Sequence, residues 1–517
     1  MHWSRWGDPA QASPLPASAL ELVEAYIGTR DAPAVTPGDV RLSEPLGEDL
    51  LAGLRGIVGA EHVLVDHDTR LHRTRGKSTP DLLRMRAGDG ADAPDAVVRP
   101  ADHDEVAAVV AWCGKHRVAV VPFGGGTSVT GGLVARREGY AGVVSLDLLR
   151  MDRLLEVDPV SMTARLQPGM RGPQVEAALA GHGLTLGHFP QSFEFASVGG
   201  FAATRSSGQD SAGFGRFDQM VVGLRVATPV GELGAGTAPA DAAGPDLRQL
   251  VLGSEGAFGV ITEVTVRVRA VPAETAYEGW RFASFAAGQA AMRHLAQRQL
   301  LPTVIRLSDE TETSLDLASP SDVGGEGGTG CLMVVGHEGT AIASRREQVT
   351  AALTDLGGVL LGEDRGRTWR EGRFGAPYLR DALLDAGVLV ETVETATFWS
   401  GTQWLYDAVK GALESSLGEG TLVLCHVSHV YETGCSLYFT VAAPQGEDPL
   451  ARWLAAKAAA SDAMVRAGAT ITHHHGVGRD HVPWLAQQIG PVGVAVLRAV
   501  KASLDPTGVL NPGVLVP

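Results

Sequence analysis

At 517 residues, with 44% hydrophobic and 20% charged side chains, the chain has material for two to four packed domains and falls outside the disordered class. The 43 Lys and Arg against 59 Asp and Glu leave a net charge of −16, a field that repels a nucleic-acid backbone, so no nucleic-acid partner is expected. Four cysteines without a Cys-x-x-Cys pair argue against a disulfide framework or a zinc ribbon. With no secretory leader and no run of 18 apolar residues, a reducing, cytoplasmic setting is the expectation.

Residues 1–90 read as helix and loop, with amphipathic stretches at 18–26 and 46–58 and no recognisable chemistry. From Asp95 short β-branched runs alternate with helical pieces: 96–98, a helix at 102–116, then 118–122, 142–146, 163–166, 174–181 and the long run 260–268. This rhythm predicts an α+β domain over 91–272, ending near Pro272. A second α+β domain is expected over 273–470, with a strand at 434–442 and an Ala-rich helix at 448–467. Within it, Gly324, Gly325, Glu326, Gly327 and Gly328 read as a solvated connector. The tail, 471–517, carries a helix and then Asp505-Pro506-Thr507-Gly508. No internal repeat is present. The 65 glycines come in clusters, which suggests loops where backbone approaches a ligand closely.

Three such tracts fall in the first domain. Pro122-Phe123-Gly124-Gly125-Gly126-Thr127-Ser128 follows an apolar strand; its glycines let successive N–H groups turn toward an anion, and Thr127 and Ser128 add hydroxyls. It is neither the dinucleotide fingerprint nor a Walker A loop, and on its own reads equally as a pyrophosphate cradle or a tight turn. The polar stretch 187–215 includes Gln191, Ser192, Ser197, Gly199, Thr204, Arg205, Ser206 and Ser207, and a loop so long and polar is functional or disordered. The third tract, Gly253-Ser254-Glu255-Gly256-Ala257-Phe258-Gly259-Val260-Ile261, enters a strand.

In this order the tracts resemble the FAD-binding domain of the vanillyl-alcohol oxidase (PCMH-type) superfamily. Downstream, Ser428-His429-Val430-Tyr431-Glu432-Thr433-Gly434-Cys435-Ser436-Leu437-Tyr438-Phe439 and His473-His474-His475-Gly476-Val477-Gly478 resemble the alkyldihydroxyacetonephosphate synthase family within it. The resemblance runs from roughly residue 60 to the C-terminus. It implies an α+β fold: a two-subdomain FAD domain, an α+β cap domain, and a C-terminal segment completing the active site and returning to the FAD domain. It also implies that 122–128 holds the pyrophosphate, while Gln191, Ser192, Ser197, Gly199, Thr204, Arg205, Ser206, Ser207, Glu255, Gly259, Val260 and Ile261 surround the rest of FAD. The implied reaction exchanges acyl for alkoxy on a phosphorylated ketone through a flavin N5 adduct, without net redox change. Tyr438 then moves the proton, His473, His474 and His475 are its partners, Arg306 is an active-site arginine and Arg380 holds the substrate phosphate. The other readings are an FAD-dependent oxidase or dehydrogenase of a hydroxy acid or alcohol, and a flavin-binding protein without turnover. A small-molecule or lipid-like anionic substrate, peripheral membrane contact and a homodimer complete the expected partners.

The chemistry of these residues adds its own conditions. A phenol of reference pKa ~10 is a weak base near neutrality, so Tyr438 needs a cationic or hydrogen-bonding neighbour to lower it; the histidines and Arg306 are the expected source. In an extended run His473 and His475 face one side and His474 the other. A zinc site at His426, His429, His474 and His475 is the rival reading. Metal-binding relatives carry ligands where Tyr438 and His474 stand, so no metal is expected. No His or Cys occurs in 123–132, so FAD is expected to be noncovalent. The basic, aromatic stretch 365–374 reads either as a lid or as a solvated loop. The chain does not end in Ser-Lys-Leu, so a peroxisomal address is not expected.

Overall fold

The computed structural model of the protein describes all residues except 13, 14, 135 and 316–328. The glycine-rich connector expected at 324–328 therefore lies outside the described residues. Two helices precede the first sheet, α1 (Ala17–Tyr26) and α2 (Glu48–Val58). That sheet contains β1 (Val63–Leu64), β2 (Ala96–Val98), β3 (Val118–Phe123) and β4 (Gly142–Asp147) in the order β1-β2-β4-β3, with β2, β4 and β3 parallel. Parallel strands need a crossover, and α3 (His103–His116) supplies it, its N-terminus capped by the Asp102 carboxylate accepting from the Glu105 amide. Burial on both faces explains why these strands read as unbroken valine runs.

The second sheet is antiparallel: β5 (Leu154–Asp158), β6 (Thr163–Leu166), β7 (Val221–Thr228), β8 (Gly231–Ala235) and β9 (Val260–Arg267), ordered β8-β7-β9-β6-β5. Helix α4 (Val198–Thr204) packs Val198 and Phe201 into its core with Val264 and Val266.

The third sheet has seven antiparallel strands: β10 (Glu274–Phe282), β11 (Val304–Ser308), β12 (Cys331–Gly339), β13 (Val359–Gly362), β14 (Val388–Phe398), β15 (Leu422–Val427) and β16 (Gly434–Pro444). Their order is β13-β10-β12-β11-β15-β16-β14. Helices α5 (Asp364–Gly372) and α6 (Ala376–Asp385) lie between β13 and β14 in the chain. Helices α7 (Thr402–Leu417) and α8 (Pro449–Arg466) bury Leu405, Val409, Leu413 and Trp453 against Leu437, Phe439 and Val441 of β16. Since side chains alternate along a strand, Tyr438, Thr440 and Ala442 are left on the opposite face.

The last helix, α9 (Val482–Leu504), breaks at Gly490, whose φ of +67 is open to glycine and which precedes Pro491. The chain then returns to the first sheet: the Val120 amide donates to Val509 O and the Asn511 amide to Val120 O. The expected α+β character and the returning tail are both present. All four cysteines are buried and unpaired. Among the described residues no helix is long and apolar enough to cross a membrane.

Candidate active site

A cavity of about 420 Å³ lies where the glycine loop after β3, the face of the third sheet left by α7 and α8, and helices α1 and α6 converge. Three cross-strand rungs make its floor, of which every residue but Glu394 lines the cavity. Glu394, Tyr438 and His426 pair across β14, β16 and β15; the next rung is Thr392, Thr440 and Leu424; the last is Val390, Ala442 and Leu422. Two residues along a strand span about 7 Å, so the floor changes from ionisable to aliphatic over roughly 14 Å. Ala19, Leu22 and Val23 of α1, with Leu379 and Leu383 of α6, also line the cavity. The first 90 residues, which carried no chemistry in the sequence, thus supply part of its wall, together with Trp6.

The opposite end is the glycine loop. A Cβ on Gly125 would sit 2.0 Å from Phe195 O and one on Gly124 2.2 Å from Ser197 Oγ, while Gly126 has φ +73. Among the described residues the amides of Gly125, Gly126 and Thr127 have no protein acceptor, although Gly125 and Gly126 are buried. Buried donors left open in this way suit an anion. The Nε2 of Gln191 and the Oδ1 of Asn511 are buried cavity-lining polar atoms without partners as well. The residues present therefore fit a large, polar, anionic group such as FAD.

The histidine loop is shaped by a carboxylate. Glu394, 3% exposed, accepts from the amides of His473 (2.7 Å), His474 (3.2 Å) and His475 (3.0 Å) and from the Thr472 hydroxyl. Three consecutive amides on one acceptor require a bend, and 473–475 is a bend rather than the extended run expected from sequence. As a result His474 and His475 both line the cavity, while His473 turns back, its Nε2 at 2.6 Å from the Tyr431 hydroxyl and its Nδ1 at 3.0 Å from His474 Nδ1. Burial would push the Glu394 carboxyl up; attraction to the histidines of the loop, His474 first, and the Thr472 hydroxyl draw it below the usual range, and the three amides it accepts from favour the anion even when the rings are neutral.

Burial sets the other protonation states. It depresses all three histidines of the loop, His475 to about 3, and His429 well below its ordinary value. The Tyr438 phenol goes the other way, pushed by burial up to about 12. The expected lowering by cationic histidines is therefore absent, because the rings stacked on Tyr438 are neutral: His426 at 4.8 Å and His474 at 6.1 Å between centroids. Near neutrality Tyr438 therefore keeps its proton and faces the cavity as a hydrogen-bond donor.

The Arg306 guanidinium is clamped by Glu312, a fully buried carboxylate that also meets His426 Nδ1 at 3.0 Å and accepts from Ser308. Arg380 donates to Lys77 O (2.6 Å) and pairs with Asp381 at 3.3 Å; Asp381 in turn accepts from the Trp6 amide. Both arginines line the cavity, and among the described residues the Nε of each is buried without a partner. In 365–374, Trp369 is buried in α5, and Arg373 lines the cavity and pairs with the buried Asp210 at 3.3 Å, so this stretch is a packed wall rather than a solvated loop.

Of the sequence-predicted cofactor residues, 122–128, Gln191, Ser192, Ser197, Gly199, Thr204, Ser206, Ser207, Glu255, Gly259, Val260 and Ile261 all line the cavity. Arg205 does not: at a left-handed helix C-cap, it donates to Leu252 O and Gln249 O and braces the third glycine tract from behind. Of the predicted catalytic and substrate residues, Tyr438, His474, His475, Arg306 and Arg380 line the cavity and His473 sits behind it. For the rival metal reading, nitrogens of His429, His473 and His474 lie within 4.8 Å of one another, without His426 or His475. Both His473 nitrogens are already in hydrogen bonds, and His429 Nδ1 meets Ser207 and Ser211 at 3.0 and 2.8 Å. Sequence reasoning missed Glu394 and Glu312, single carboxylates without a motif; an acidic residue in an otherwise apolar strand, as in Val388–Phe398, is the signal that could have found the first.

Comparison with known proteins gives a consistent picture. Residues 94–234 match the family described as FAD binding domain, and residues 271–515 the family FAD linked oxidases, C-terminal domain. An alkyldihydroxyacetonephosphate synthase of Trypanosoma brucei brucei is 35% identical over 492 residues, 90% of this chain and 80% of that protein. The enzyme of the same name from Dictyostelium discoideum is 35% identical over 478 residues, 87% of this chain and 78% of its own length. A solved alkyldihydroxyacetonephosphate synthase structure superposes with a TM-score of 0.83 at 28% identity, covering 99% of this chain and 98% of that one.

Proposed function

The chain belongs to the alkyldihydroxyacetonephosphate synthase family of FAD-dependent enzymes, and from that membership we propose that it replaces the acyloxy group of an acylated, phosphorylated dihydroxyketone by the alkoxy group of a long-chain alcohol. The observation that carries this reading is the graded floor of the cavity. The rung Glu394, Tyr438, His426 gives way to the rung Val390, Ala442, Leu422, roofed by α1 and α6. A short hydroxy acid has no use for such an aliphatic arm; a lipid chain does.

Residues 122–128 and the glycine tracts around Ser197 and Glu255 would hold FAD without a covalent link, and when bound it would supply an electron-accepting ring system for the substrate carbon. Arg380 and Arg306 hold the phosphate and the polar head, their unpartnered Nε groups being available for anionic oxygens. Tyr438 keeps its proton near neutrality and donates it as a hydrogen bond to a substrate oxygen. The neutral His474 takes the proton the alcohol gives up, and His475, depressed to about 3 and so the weaker base, stands beside it as a hydrogen-bonding partner. The balance is closed: one carbon–oxygen bond breaks, the carboxylate leaves with its electron pair, the alcohol oxygen forms the new bond, and one proton is released.

The test is to incubate purified holoprotein with an acyl-dihydroxyacetonephosphate and a long-chain alcohol. The expected products are the alkyl ether and the free fatty acid in equal amounts, with no lasting loss of flavin absorbance and no hydrogen peroxide. Bleaching by a hydroxy acid, with no ether formed, would replace this reading by a dehydrogenase.

A further inference from the structure

Among the described residues Glu394 is a buried anion with no Lys or Arg bonded to it; its hydrogen-bond donors there are the loop amides and the Thr472 hydroxyl. Beyond shaping the loop, it stands 3.5 Å from His474 Nδ1, through Oε2, and 4.0 Å from His475 Nδ1. The Nδ1 atoms of His473 and His474 are 3.0 Å apart. Two neutral imidazoles in that contact share one proton, and one of the two nitrogens must be the donor. The carboxylate decides which. A lone pair on His474 Nδ1 facing Glu394 Oε2 is repelled, whereas an N–H there is attracted, and Glu394 stands nearer to His474 Nδ1 than to His475 Nδ1.

We propose that Glu394 is a positioning residue that fixes the tautomer of His474, with the proton on Nδ1, so that the Nε2 lone pair is left as the proton acceptor of this cavity-lining ring. His473 Nδ1 then accepts from His474, His473 Nε2 carries the other proton toward the Tyr431 oxygen, and the whole row is ordered from one carboxylate. The assignment rests on the function proposed above for the identity of the alcohol substrate, but not for the proton positions. An anionic orienter behind an imidazole is a general device for holding a base ready, and a wrong tautomer disables the base without moving it. The titratable and charged groups facing His474 are His473 and His475 on its own loop, His429 of the 428–433 turn, His426 and Tyr438 on β15 and β16, and Arg216. Lys457 of α8 acts on His475. None of these is an anion, and the charge that draws a proton toward His474 Nδ1 is that of Glu394.

The test is made on the holoprotein. In wild type labelled with nitrogen-15 in histidine, the His474 signals, assigned by difference against His474→Gln, are expected to show Nδ1–H and a bare Nε2. An Nε2–H pattern would overturn the proposal whatever the enzyme's substrate proves to be. In Glu394→Gln the tautomer is expected to redistribute, and ether formation to fall at least about 100-fold in kcat with KM within about threefold. The acidic limb of its rate profile is expected to move to lower pH, because the anion that favours a protonated His474 is gone. Glu394→Asp, which keeps the charge, is expected to recover part of the rate. Loss of bound flavin with no shift of the acidic limb in the remaining activity would reduce Glu394 to a structural clamp and overturn the assignment. A wild type that oxidises substrate instead of forming ether would end the synthase reading and leave the nitrogen-15 result standing.

Discussion

Glu394 and Tyr438 stand directly opposite each other on adjacent antiparallel strands, the carboxylate beneath the histidine loop and the phenol among its rings. One cross-strand pair thus sets both the bend that brings His474 and His475 to the cavity and the donor they face.

That pairing makes the phenol proton essential and its bulk dispensable. Tyr438→Phe should retain bound FAD and normal thermal stability while kcat falls about 10²–10⁴-fold. Flavin absorbance and turnover measured on one preparation check it, and unchanged turnover would remove Tyr438 from the chemistry.

Arg380 is anchored on one side by Lys77 O and Asp381, so its free edge is preset for an anion. Arg380→Ala is expected to lower kcat/KM for the phosphorylated substrate about 30–1000-fold, the worth of a charge-assisted pair of about 2–4 kcal/mol. Arg380→Lys should recover only part of it, because the fork geometry is lost. Steady-state kinetics with phosphorylated and dephosphorylated substrate decide it: equal losses on both would assign the phosphate elsewhere.

The glycine loop admits no side chain at its centre. Gly125→Ala places a Cβ 2.0 Å from Phe195 O, a clash with backbone that no rotamer relieves. The variant is expected to purify with less than about a tenth of the wild-type flavin, since the loop must open to fit it. The ratio of visible to ultraviolet absorbance reads this directly, and full flavin content would show that the loop holds something else.

The aliphatic end of the floor should set chain length. Ala442→Phe fills the last rung, between Val390 and Leu422. Activity with long alcohols is expected to fall more than about tenfold, with short alcohols retained, as overfilling a packed site penalises only what must enter it. A uniform loss across alcohol lengths would contradict the placement of the arm.

Burial of neutral histidines ties stability to pH. His429 and His473 lie well below, and His475 at about 3, against an unfolded value of ~6.5. Below that unfolded value the unfolded chain binds more protons than the folded one, so these groups leave stability intact above pH ~6.5 and withdraw it as pH falls. Each contributes a slope of about 1.4 kcal/mol per pH unit in that window. A melting temperature that stays level from pH 7.5 to 5 would show that the rings titrate in place.

Much of this was legible in the sequence because it rests on local chemistry. Unbroken valine runs mark strands covered on both faces, and the tracts around Gly125, Ser197 and Glu255 mark backbone that must come close to a ligand; all three line the cavity. What was hidden depends on long-range partners. An extended reading of 473–475 put His473 beside His475, because nothing nearby in the chain announces that a carboxylate some 80 residues earlier gathers three amides and bends the run. The family resemblance implied Arg205 as a cofactor ligand, and only the left-handed cap turns it away. Helix α1 looked inert because its apolar face has no meaning until α6 and the third sheet lie beneath it.

The tail carries a consequence for biosynthesis. Asn511 donates to Gly132 O and Glu255 O, joining the first and third glycine tracts at their far edge. The partners of that joint lie 379 and 256 positions apart in the chain, so on the ribosome the cradle stays open until the segment around Asn511 has emerged, and flavin capture is expected to follow that point.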